Sequence, residues 1–150
     1  MIAIRPWLFL GKYRDTFELP PLQAQQIGAM LQFAGRVEYP EIQTLYIPIE
    51  DGVPVQREIL EKGVQFILSQ QQEGKKVMVS CGAGISRSVT FIIAALKETE
   101  DIPLLEAYQV VLNAHVGALP HPALWQSLCN YYQEEVPYWQ LLKKYNRRGN

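Results

Sequence analysis

Two residue types that handle phosphate esters, a cysteine and an arginine, stand close together in this chain. The stretch Val77-Met78-Val79-Ser80-Cys81-Gly82-Ala83-Gly84-Ile85-Ser86-Arg87-Ser88 passes from an apolar run into a glycine-bearing loop and then into a second apolar segment. A free thiol is only roughly 3% ionised at pH 7, so a nucleophilic Cys81 needs help from its surroundings. Gly82 and Gly84 free the backbone to curl, so that successive N–H groups of Gly82, Ala83, Gly84, Ile85, Ser86 and Arg87 can converge on an oxyanion. A helix starting near Arg87 adds its positive end, and the Arg87 guanidinium can grip two phosphate oxygens and follow them into the transition state. The stretch therefore reads as a phosphate-holding loop around a thiolate.

Attack by such a thiolate on a phosphate monoester expels an alkoxide or phenoxide, and that leaving group needs a proton. A carboxylic acid on a neighbouring loop can supply it and later activate water. Glu50 and Asp51 are the candidates, because they follow the strand-like run at residues 44–49. Asp51-Gly52 is also a common turn pair, so a purely structural role stands beside the catalytic one.

The elements that must position these groups can be read from periodicity. Residues 7–10 form a short apolar and aromatic run closed by Gly11, expected at a sheet edge because it follows Pro6. Residues 12–25 contain Pro20-Pro21 and are expected as loop or short helix. Residues 27–33 and 44–49 are strand candidates. Between 55 and 72 the apolar positions Ile59, Leu60, Val64, Ile67 and Leu68 recur at helical spacing. Val77-Met78-Val79 suits a central strand covered on both faces. The run 89–96 reads as a buried core helix, Pro103 and Pro122 open further helices, and a last short helix starts near Pro137. Strands alternating with helices predict an α/β domain with a mainly parallel central sheet of four to five strands and helices on both faces. One domain covers residues 1–150.

Composition narrows the function classes. Lys and Arg (14) nearly balance Asp and Glu (15), so no strong overall field favours nucleic acid or an anionic membrane. The two cysteines, Cys81 and Cys129, make no disulfide framework and point to a reducing, cytoplasmic setting. No stretch approaches the roughly 20 apolar residues that a membrane-spanning helix needs, and no signal peptide is evident at the start. His115 and His121 lack a metal-ligand spacing, so neither metal nor other cofactor is called for. Cys129 reads as a core residue, and Lys143-Lys144 with Arg147-Arg148 as a solvated end.

Cys-Gly-Ala-Gly-Ile-Ser-Arg-Ser closely resembles the signature of dual-specificity protein phosphatases, within the cysteine-dependent tyrosine phosphatase superfamily. The likeness extends to Leu8-Phe9-Leu10-Gly11, Ile47-Pro48-Ile49-Glu50-Asp51 and Glu106-Ala107-Tyr108, and so to most of the chain. The resemblance implies a tyrosine-phosphatase-like fold with Cys81 as nucleophile and Arg87 as phosphate clamp. It also implies Ser88 as the hydroxyl that eases departure of the thiolate. Asp51 matches the family's general acid, with a 30-residue spacing to Cys81 like that of relatives. The sequence departs from the family at Ser80, where His is usual, and at His115-Val116 and His121-Pro122, where Arg-Pro and Pro-Asn pairs are common.

The expected activity is hydrolysis of phosphotyrosine, and of phosphoserine or phosphothreonine, in a protein or peptide substrate. Three other readings compete: a catalytically weak phosphate-binding module, a phosphoinositide phosphatase and a rhodanese-like sulfurtransferase. No Lys or Arg lies between Cys81 and Arg87 to meet extra phosphates of an inositol headgroup, and a sulfurtransferase needs neither Asp51 nor a Ser after Arg87.

Overall fold

Alternating side chains on three neighbouring strands divide the interior of the protein into two layers. The structure, a computed structural model, describes residues 1–149, without the side chains of the last two. The chain runs through β1 (Ile2–Arg5), β2 (Leu8–Lys12), a 3-10 turn (Tyr13–Thr16), α1 (Leu19–Ala24), β3 (Ile27–Gln32), β4 (Gln43–Tyr46) and α2 (Arg57–Gln72). It continues through β5 (Lys76–Cys81), α3 (Arg87–Glu100), α4 (Leu104–Ala114), α5 (Pro122–Tyr132) and α6 (Tyr138–Gly149). The five strands lie in the order β1-β2-β5-β3-β4. All neighbouring pairs are parallel except β1 with β2. The sheet is thus mainly parallel, as the alternation of strands and helices predicts.

Leu8, Leu10, Ala29, Leu31, Val77, Val79 and Cys81 join the larger core with residues of α2 to α6. The intervening Phe9, Met30 and Met78 point the other way, as period-two alternation requires, and pack with Leu22 of α1 and Ile42. Helices cover both faces, but very unequally: one short helix and the segment before β4 close one side, and five helices close the other. β5 sits between β2 and β3, and its buried residues from Val77 to Cys81 explain the uninterrupted apolar run in the sequence.

Several element boundaries differ from those expected. Residues 7–10 do not form an edge: β2 lies between β1 and β5, while Pro6 and Trp7 make the turn of a hairpin whose first strand, β1, takes the edge. β4 leaves the sheet earlier than the expected end at residue 49. Ile47 still donates its N–H to Gln32 O at 2.9 Å, but Pro48 has no N–H to continue the ladder. The chain at Glu50, Asp51 and Gly52 is therefore a loop free of the sheet. Pro103 caps α4 from the position before its first turn, and α6 runs for 12 residues from Tyr138. α3 is buried at every position from Ser88 to Leu96, in accord with its expected place in the core.

Candidate active site

Cys81 is the last residue of β5, and the chain turns from it through residues 82–86 into α3 at Arg87. This is the carboxyl end of a central parallel strand, where helix N-termini converge in α/β sheets. The turn is closed by tight backbone packing. Gly84 has φ +68°, and a Cβ there would stand 3.1 Å from the carbonyl oxygen of Gly11, so this position requires glycine. Gly82 has a different reason: a Cβ on it would meet Arg87 Nη2 at 3.2 Å, since the guanidinium lies against the loop. Outer contacts brace the loop, with Tyr13 N donating to Gly82 O at 3.3 Å and Leu119 N to Ile85 O at 3.0 Å.

Among the described residues, none of the five backbone N–H groups of Gly82, Ala83, Gly84, Ile85 and Ser86 donates to another protein atom. Gly82, Ala83 and Ile85 are exposed, whereas Cys81 is buried at the base. Behind the thiol, the fully buried Ser88 places its Oγ 3.0 Å from Cys81 Sγ. Arg87 donates from Nη1 to Ile49 O at 2.9 Å, and this bond ties the loop to the segment that carries the acidic pair.

The structure separates that pair. Asp51 borders the same cleft as Cys81 and Arg87, a cavity of about 350 Å³ whose other walls include Ile85, Leu119, Pro120, His121, Pro122 and Tyr138. Glu50 is exposed and borders a different cavity, beside Val53 and Ile59. Asp51 Oδ1 accepts a 2.6 Å hydrogen bond from Ser86 Oγ, which in turn accepts from the backbone N–H of His121 at 2.8 Å. Ser86, expected to serve the phosphate through its amide, also uses its side chain to connect the acid loop with the start of α5.

Three contributors have no site role in the sequence reading. His121 caps α5 by accepting the Ala123 N–H on Nδ1 at 3.0 Å, and its ring lies against Gly52, where a Cβ would stand 3.3 Å from Nε2. The signal was present, since the residue before a helix-opening proline occupies the N-cap. Tyr138, from the start of α6, donates its hydroxyl to Pro120 O. Burial first and the nearby Asp51 charge second push its ionisation up to about 12, so it remains a neutral donor. Tyr108 is fully buried and donates to Ala118 O at 2.7 Å, while burial raises its pKa strongly. These contacts hold residues 115–121, where the sequence departs from the family pattern. Burial also lowers the pKa of His115, assisted by the charge of Lys12.

Ser80 is buried in β5 between Gly11 and Gln32 of the adjacent strands, on the face opposite that of Cys81. Cys129 is a free, buried thiol on α5, donating weakly to Val136 O at 3.7 Å, with its pKa raised by burial. It borders the larger cavity of about 570 Å³ between α5 and residues 133–137, which holds none of the groups around Cys81. Among the described residues no cluster of three or more His, Cys, Asp or Glu side chains could hold a metal ion. Among the same residues no helix is long and apolar enough to cross a membrane.

A thiol backed by a hydroxyl, a guanidinium beside the loop that follows the thiol, and a carboxylate across the cleft form an arrangement that could hold and attack a phosphate ester. Comparison with known proteins agrees with this class. The family model for the dual specificity phosphatase catalytic domain matches residues 8–134, and the chain belongs to that family. It is 28% identical over 140 residues to rat dual specificity protein phosphatase 5, covering 91% of this chain and 36% of that protein. It is 34% identical over 119 residues to mouse dual specificity protein phosphatase 2, covering 73% and 36% respectively. The chain thus spans about a third of the length of these relatives. Among solved structures, human DUSP28 superposes with a TM-score of 0.82 at 23% identity, covering 89% of this chain and 96% of that one. The human tyrosine phosphatase-like serine/threonine/tyrosine-interacting protein gives a TM-score of 0.82 at 28% identity, with coverage of 89% and 95%.

Proposed function

We propose that this chain is a cysteine-dependent phosphoprotein phosphatase acting on phosphotyrosine and on phosphoserine or phosphothreonine. The observation that carries this reading is the meeting of Cys81, Arg87 and Asp51 in one cleft, above a loop whose five N–H groups have no partner among the described residues. In this account the loop amides and the Arg87 fork bind the phosphate oxygens, and they stabilise the charge that spreads over them in the transition state. The Cys81 thiolate attacks phosphorus, the bond from phosphorus to the substrate oxygen breaks, and the Asp51 carboxyl donates its proton to the departing oxygen.

Water then attacks the phosphocysteine. Asp51, now a carboxylate, takes a proton from that water, and inorganic phosphate leaves as the P–S bond breaks. The Ser88 hydroxyl, 3.0 Å from Sγ, donates to the thiolate as it is released and lowers the barrier for this second step. Ser86 keeps Asp51 over the loop. The apolar walls from Ile85, Leu119, Pro120 and Pro122 suit the ring of an aryl phosphate, and Tyr138 remains neutral beside it.

The test is hydrolysis of p-nitrophenyl phosphate and of phosphotyrosyl and phosphothreonyl peptides by the wild type and by Cys81→Ser. Turnover by the wild type and none by the variant is expected. If both are equally inert while a phosphopeptide still binds, the chain is a phosphate-binding module and the enzyme reading fails.

A further inference from the structure

The near-neutral balance of the whole chain conceals a local concentration of charge in α6. Its sequence, Tyr-Trp-Gln-Leu-Leu-Lys-Lys-Tyr-Asn-Arg-Arg-Gly, holds four of the 14 basic residues and none of the 15 acidic ones. The rest of the chain therefore carries 10 basic against 15 acidic side chains, and α6 is a positive element on an acidic body.

The helix uses only one side for packing. Leu141 is fully buried, and Tyr138 and Tyr145 pack against the main core. Lys144 donates from Nζ to Gln109 Oε1 at 3.1 Å, which fixes α6 against α4. On the opposite side, at helical spacing, Trp139, Leu142, Lys143, Asn146 and Arg147 are all exposed. Trp139 is 60% exposed and Leu142 36%, three residues apart and next to two cations. Tyr138 lines the cleft at Cys81, and Lys144 and Arg147 line a smaller one beside Gln109 and Asn113.

We propose that this face of α6 binds the surface of an anionic lipid bilayer. An exposed tryptophan and leucine flanked by Lys and Arg on one helix face match the water–lipid boundary, where indole rings settle at headgroup level and cations meet lipid phosphates and carboxylates. The acidic remainder of the chain is repelled by the same lipids, so the contact is orienting: α6 faces the bilayer. Tyr138, the residue before Trp139, is a wall of the cleft described above, and a surface held at Trp139 adjoins that wall. The binding is peripheral and reversible, because two apolar side chains and a few cations fall well short of an inserted helix.

The experiment uses the full chain with sedimenting vesicles of phosphatidylcholine, with and without phosphatidylserine, and follows tryptophan emission. The proposal expects binding to the phosphatidylserine vesicles alone, a blue shift that Trp139→Phe abolishes, and release at high salt. Lys143→Gln with Arg147→Gln should weaken binding about 25-fold, at about fivefold for each cation, and Leu142→Ala about tenfold. Hydrolysis of a soluble aryl phosphate by these variants without vesicles should match that of the wild type, which separates lipid docking from the chemistry of the cleft. Failure to bind phosphatidylserine vesicles overturns the proposal, as does binding that the variants leave unchanged. Capture of an acidic peptide such as poly-glutamate, without lipid binding, would make the face a dock for acidic protein and equally overturn it.

Discussion

Ser86→Ala separates the acid's position from the acid itself. The Ser86 hydroxyl donates to Asp51 Oδ1 at 2.6 Å and accepts the His121 N–H at 2.8 Å, and Ser86 is buried while Asp51 is exposed. A hydrogen bond to a sheltered carboxylate contributes about 1.5–3 kcal/mol, and exposure of Asp51 places this one near the lower end. Loss of about 1.4 kcal/mol of orientation corresponds to about tenfold in rate. The assay is kcat/KM over aryl phosphates whose leaving phenols rise in pKa. The variant should lose about tenfold with phenyl phosphate and little with p-nitrophenyl phosphate, whose phenolate leaves without a proton. Asp51→Asn should lose about a hundredfold or more on the poor leaving groups, and adding Ser86→Ala to it should change little, because the bond no longer holds an acid. An equal loss across the leaving-group series, or losses that multiply in the double variant, would refute the positioning role.

Further outcomes follow from other contacts. Ser88→Ala should slow breakdown of the intermediate by about 10- to 100-fold, seen in stopped flow as a burst of leaving group before a slow steady state; a single slow phase would count against the Ser88 role. Gly63→Ala puts a Cβ 2.4 Å from Phe91 Cε2 in the packed core, so it should lower stability by about 1–3 kcal/mol in urea unfolding. Arg5 holds Glu100 through two 2.8 Å hydrogen bonds and lowers its pKa, chiefly through the hydrogen bond. A carboxylate with a depressed folded pKa contributes stability above its unfolded pKa and loses it as pH falls through the folded value. Glu100→Gln should therefore cost about 0.5 kcal/mol at pH 7, since the pair is partly exposed, and the difference from wild type should vanish below the ordinary carboxylate range.

The central strand, its loop and the buried helix were legible in the sequence because they are local. A continuous apolar run, two glycines and an arginine lie within a dozen residues, and each obeys its own stereochemical rule. The edge position given to residues 7–10 failed because Pro6 marks a turn as well as an edge, and the short strand before it lacks the period needed to stand out. The Ser86 bridge and the Tyr138 wall were not legible in the same way. They join groups 35 residues apart or, for Tyr138 and Pro120, 18 apart, and depend on how α5 and α6 return to the loop. Glu50 and Asp51 are neighbours in sequence, and only the fold shows that Asp51, held by Ser86, borders the cleft while Glu50 borders another. The cations of α6 were legible as a basic end, but only the fold shows that Lys143 and Arg147 lie with Trp139 and Leu142 on the exposed side while Lys144 is held against α4.

The most direct measurement is covalent: rapid acid quench of the wild type and of Ser88→Ala during turnover of p-nitrophenyl phosphate, followed by mass spectrometry of the peptide containing Cys81. The account predicts one phosphoryl group on Cys81, in greater amount in Ser88→Ala, and neither phosphoryl group nor turnover in Cys81→Ser. Turnover by the wild type with Cys81 unmodified, or by Cys81→Ser, would contradict it.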